Sequence, residues 1–141
     1  MSIATAPPVS IPRATRPLAV LFALAATLAV WLIASLASVD LTVKSESADV
    51  QQVGLASVAI ATLLAGVAAC GLIALLQRVT SRPRTAFIVI AFALLLVSLA
   101  GPILLGQTNG ARAFLTSMHL AAAGVLIPTL ARPAVVRRGR S

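Results

Sequence analysis

A chain of 141 residues with 60% hydrophobic and only 10% charged residues, at a mean hydropathy of +1.05, is too apolar to be a water-soluble domain, for which about 45 to 50% apolar and about 25% charged residues are usual. The implied solvent is lipid, where the backbone must satisfy its own polar groups, so the spanning elements are helices or a closed barrel. A net charge of +8 is the footprint of nucleic-acid binding when it forms one patch, but here the charges flank apolar runs, and nucleic acid is not an expected partner.

Residues 1–17 carry Pro7, Pro8, Pro12 and Pro17 among Ser, Thr and Ala without periodicity, which predicts a disordered tail. Four apolar runs follow: Leu18 to Val39, Val53 to Leu76, Ala86 to Leu105 and Ala113 to Leu130. They are 18 to 24 residues long and contain no Asp, Glu, Lys or Arg. Each is long enough to cross a hydrocarbon core, which takes about 20 residues of helix. A barrel would show segments of roughly ten residues with alternating polarity, and these unbroken runs do not. The first run also exceeds the roughly 7 to 15 residues of a signal-peptide core, so it is expected to stay as a helix.

Between the first two runs, Asp40 to Lys44 alternates in polarity and favours an extended segment. Asp49 followed by Gln52 resembles a capping box and predicts that the second helix starts near Val50. In that helix Ser57, Ala61, Ala65 and Ala69 form one small-residue stripe, and Thr62, Gly66 and Cys70 form another. Small stripes let membrane helices approach closely, and packing within the bundle is the expected use. Pro83 suits the first turn of the third helix, Gly101 and Pro102 predict an interruption near its far end, and Asn109 is a fair N-cap for the fourth. The expected helices are therefore about 18–39, 50–77, 84–105 and 110–130, followed by a basic tail over 131–141. Short loops make consecutive helices antiparallel neighbours, giving an all-α, up-down-up-down four-helix transmembrane bundle.

The arginines set the expected orientation. Arg13, Arg16, Arg78, Arg82, Arg84, Arg132, Arg137, Arg138 and Arg140 fall on one side after four crossings, whereas the opposite loops hold only Lys44 and Arg112. By the positive-inside rule both termini are cytoplasmic. Arg132, Arg137, Arg138 and Arg140 lie just inside the membrane, where each is worth about 1 kcal/mol at an anionic surface, so anionic lipid headgroups are expected partners.

Several chemistries lack their residues. Thiol-exchange membrane enzymes need a cysteine pair to resolve a mixed disulfide, and Cys70 stands alone. Proton-coupled small multidrug exporters need an intramembrane carboxylate, and no run contains one. There is no nucleophile-base pair, carboxylate dyad, metal set or phosphate loop, so neither an enzyme nor a bound cofactor is expected. Besides the Cys70 thiol, the one titratable side chain within the runs is His119, roughly 10 Å below the external surface if counted along the helix from Arg112. Thr116 and Arg112 share its face, and Asp40 directly follows the first run at its outer end, so Asp40, Arg112, Thr116 and His119 form a candidate polar cluster. The plainer expectation for His119 is a neutral side chain hydrogen-bonded to a neighbouring helix.

Val39 to Val43 (VDLTV) after a Trp-containing first run, Ala74 to Arg78 (ALLQR), Ser98 to Pro102 (SLAGP) and Met118 to Arg132 (MHLAAAGVLIPTLAR) together resemble a family of small actinobacterial membrane proteins known only as a domain of unknown function. The similarity runs from about Leu18 to Arg132. It implies a four-helix membrane protein from a high-GC genome, in keeping with ten Arg against one Lys, and brings no activity, cofactor or site residue. The expected function is a non-enzymatic membrane protein, either a structural component or a partner subunit of a membrane complex. The alternative is a small permease or ligand-binding membrane protein built around His119. A membrane partner protein in fixed stoichiometry would fit the first reading, and a lone homo-oligomer would keep the second alive.

Overall fold

The computed structural model describes residues 15–44 and 50–132. The expected disorder of residues 1–14, the acids Glu46 and Asp49, and the tail arginines Arg137, Arg138 and Arg140 lie outside the described residues. Four helices, α1 (Thr15–Leu36), α2 (Leu55–Val79), α3 (Pro83–Leu105) and α4 (Asn109–Ala131), are each long and apolar enough to span a membrane. They form the expected all-α four-helix bundle. Each helix packs on its sequence neighbours, and α1 closes the ring against α4.

The helix limits differ from expectation where local chemistry competes with the apolar pattern. Helix α1 starts at Thr15, three residues before the apolar run, with Pro17 in its first turn. There the missing N–H would have had no helical partner anyway. It ends at Leu36 in a Schellman motif. Ser38 is left-handed at φ 53, Val39 N–H donates to the Ala34 carbonyl at 3.0 Å, and Ser38 N–H donates to that of Ser35 at 3.1 Å. This position usually holds glycine, because a Cβ there costs about 1 to 2 kcal/mol. Ser38→Gly should therefore stabilise the bundle by about 0.5 to 1 kcal/mol after the extra chain entropy of glycine is subtracted. A denaturation midpoint in detergent that falls instead of rising would contradict this account of the turn.

Helix α2 starts at Leu55, five residues after the expected Val50. Thr42–Lys44 (β1) and Val50–Gln52 (β2) pair as an antiparallel hairpin, with Thr42 opposite Gln52. Extended residues were expected over Asp40 to Lys44, but the capping box could not act once Gln52 was committed to the ladder. Gly54 is the N-cap of α2 instead, without a side-chain bond. Thr108, not Asn109, caps α4, its side chain accepting from Ala111 N–H at 3.0 Å. Gly101 and Pro102 lie inside α3, which runs to Leu105, with Pro102 buried.

Two apolar clusters fill the interior. One joins Ala19, Val20, Ala23, Ile73, Phe87, Leu126, Leu130 and Ala131 near the arginine-rich end. The other joins Ala34, Leu41, Val58, Ala111, Leu115 and Met118 under the hairpin. Between them lie the buried hydroxyls of Thr27 and Thr62, 3.1 Å apart across the α1–α2 interface. Thr62 also donates to the Val58 carbonyl at 2.8 Å, and Thr27 lies within bonding distance of the Ala23 and Leu24 carbonyls. Each hydroxyl has a single proton: Thr62 gives its own to the Val58 carbonyl, so in the pair Thr62 accepts from Thr27, and this bond links α1 to α2.

The small stripes of α2 part company. Thr62 and Gly66 are buried against α1, and Cys70 is half-buried with its Sγ 3.9 Å from the Arg16 carbonyl. Ser57, Ala61 and Ala65 are exposed. At Gly66 a Cβ would lie 2.7 Å from Val20 Cγ1. The absent side chain is what allows the two backbones to approach.

Candidate functional site

The candidate polar cluster is placed by the hairpin end of the bundle. Asp40 follows the α1 turn and is exposed. The hairpin is joined to the α3–α4 turn by a bridge between Val43 and Gly106 and by Gln107 N–H donating to the Thr42 carbonyl at 3.2 Å. Indole Nε1 of Trp31 donates to the Val53 carbonyl at 3.1 Å, which ties α1 to the strand leading into α2. Together these bonds make a lid of backbone over the bundle.

Arg112 belongs to that lid. Its Nε donates to the Gly106 carbonyl at 2.9 Å. A Cβ on Gly106 would lie 2.6 Å from Arg112 Cγ and 2.7 Å from the Pro102 carbonyl oxygen, so glycine is required there by close approach. His119 is ten residues into α4, about 15 Å from the start of that helix. Its Nδ1 lies 2.8 Å from the carbonyl of Leu115, one turn back on the same helix. The expected bond to a neighbouring helix is replaced by this local one. Because a carbonyl can only accept, Nδ1 carries a proton, which in the neutral ring leaves Nε2 as an acceptor.

Among the described residues, no hydrogen bond or ion pair joins any two of Asp40, Arg112, Thr116 and His119. Arg112 is held by the turn, and His119 by its own helix. Among the described residues no three His, Cys, Asp or Glu side chains come together to hold a metal. With a bond that stays within α4, His119→Gln should change stability in detergent by no more than about 0.6 kcal/mol, the average found for polar contacts between membrane helices. A loss of several times that amount would show His119 holding the helices together.

At the opposite end, sequence reasoning treated Arg16 only as a topology marker. Arg16 lies inside α1, with its carbonyl near Cys70, yet its guanidinium donates to Gln77 Oε1 at 2.8 Å. Gln77 is seven residues beyond Cys70 along α2, about 10 Å. The side chain therefore snorkels along the helix toward the end of the bundle, burying its stem and leaving Nε without a partner. An arginine two residues ahead of an apolar run is the signal that could have suggested this. Arg132 is exposed at the C-cap of α4. It lines a groove of about 660 Å³ between α3 and α4 together with Arg84, Phe92 and Gly124.

No curated protein and no solved structure is similar enough to the chain to count as a match. A family described as one of unknown function, DUF6069, matches residues 7–136, nearly the whole chain and all four helices. The four-helix membrane protein described here therefore belongs to the DUF6069 family.

Proposed function

We propose that the protein is a non-enzymatic component of the bacterial cytoplasmic membrane, a structural element or partner subunit of a larger membrane complex, with both termini cytoplasmic. The observation that supports it most is the state of α3, whose buried residues are only Phe87 and Pro102. Val89, Phe92, Leu94, Leu96 and Val97 are all more than half exposed, which leaves an apolar face for lipid or another membrane helix. Of the polar groups within the spans, Thr27 and Thr62 bond to each other, and His119 bonds to the Leu115 carbonyl of its own helix. That argues against an enzyme or a permease as the first reading.

Purification in a mild detergent tests the proposal. A partner that copurifies in fixed stoichiometry, and is lost when Phe92, Leu96 and Val97 are replaced together by Ala, supports the subunit reading. A lone homo-oligomer showing a ligand-induced thermal shift that His119→Gln abolishes would replace it with the small permease or ligand-binding reading. Reporter fusions at Met1 and Ser141 are expected to give cytoplasmic signals, and one near Ser47 an external signal. An external signal from either terminus would overturn the orientation.

A further inference from the structure

We propose that the groove between α3 and α4 is a binding site for one anionic phospholipid, with its phosphate at Arg84 and Arg132 and an acyl chain along the apolar floor. This rests on the membrane reading above and adds a defined ligand to it. Arg84, Ile88, Phe92 and Leu95 supply one wall from a single face of α3, at helical spacings of four, four and three. The other wall is α4 from Leu120 to Arg132. Both arginines lie at the same end of the groove, since α3 begins at Pro83 and α4 ends at Ala131. Every other lining residue is apolar, and no acid lines the groove.

The dimensions favour a lipid over a helix of another protein. From Arg84 to Leu95 and from Leu120 to Arg132 the groove runs about 16 to 18 Å at the helical rise. That matches one leaflet of a hydrocarbon core about 30 Å thick. A docking helix would need an apolar face across both leaflets, whereas this groove stops midway and carries its positive charge at one mouth. Gly124 makes room for the chain: a Cβ there would meet nothing within 4 Å. Pro128, also in the wall, has no N–H to bond the Gly124 carbonyl, which loosens α4 at that point.

The test is native mass spectrometry of the full chain in detergent, titrated with phosphatidylglycerol or phosphatidylcholine of equal chain length. One phosphatidylglycerol should bind in preference to phosphatidylcholine. The Arg84→Gln, Arg132→Gln pair should weaken it about 30-fold, since each arginine at an anionic surface contributes about fivefold. Gly124→Leu should fold normally and block the site by filling it, while Arg137→Gln, Arg138→Gln and Arg140→Gln together should leave it nearly unchanged. Soluble glycerol phosphate should not compete, because it lacks the chain. If the tail variant loses the lipid while the groove variants keep it, the proposal fails in favour of diffuse attraction to the tail. Equal binding of both lipids, or displacement by glycerol phosphate, also overturns it. Resistance to extraction by alkaline carbonate tests membrane insertion separately, so that failure of the lipid site is not confused with failure of the membrane reading.

Discussion

Gly66→Leu should destabilise the bundle in detergent by about 2 kcal/mol, whereas Gly71→Leu, one turn and a residue along the same helix, should be neutral or mildly stabilising. A leucine at either position gains about 0.8 kcal/mol of helix propensity over glycine. Their surroundings are opposite. The Cβ alone would sit 2.7 and 2.9 Å from the two Val20 methyl carbons at Gly66, and would meet nothing within 4 Å at Gly71. Val20 is β-branched and stiff at χ1, so the clash cannot be relieved by a swing of a long side chain and α1 must move. Overpacking of this kind costs about 1 to 3 kcal/mol, occasionally more. Space restored from the other side should rescue the fold: Val20→Ala combined with Gly66→Ala should be more stable than the sum of the single changes predicts. Equal denaturation midpoints for the two leucine variants would contradict the close α1–α2 approach.

Phe87→Ala should cost about 2 to 3 kcal/mol and free the N-terminal half of α3. Phe87 is 1% exposed, sits in the cluster with Ile73, Leu126 and Leu130, and is the one buried side chain in that half of the helix. In a water-soluble core the same truncation costs about 3 to 5 kcal/mol, part of it transfer from water. Within a bilayer an unpacked Phe still meets lipid, so the transfer term largely vanishes and lost van der Waals packing remains. The expected loss is therefore smaller than in a soluble protein but still the largest for any single residue of α3. Denaturation in mixed micelles gives the magnitude, and faster proteolysis in the α2–α3 loop would locate the effect. Stability equal to that of Phe92→Ala, a change at a half-exposed residue, would show that α3 is held by something else.

Four spans, their order and the concentration of arginines at alternate ends were legible from composition and spacing, because a bilayer imposes one requirement everywhere: about 20 apolar residues whose backbone bonds to itself. The ends of those spans were less legible. The apolar run from Leu18 to Val39 did not reveal that Thr15 starts α1 or that Ser38 stops it in a left-handed turn. Asp49 and Gln52 looked like a cap because the strand pairing that claims Gln52 joins it to Thr42, ten residues back in the chain. The candidate cluster fared similarly. Periodicity put Arg112, Thr116 and His119 on one face, but it could not show that Gly106 would capture Arg112 or that Leu115 would hold His119. Nor could it show that Arg84 and Arg132, 48 positions apart, border one groove. The sequence by itself determined that this protein forms four helices that cross a membrane, because hydropathy acts on each segment independently. Which small residues touch, which hydroxyls pair and where a groove opens was decided only by the tertiary structure, because without a hydrophobic force between helices those choices depend on shape and on bonds between distant segments.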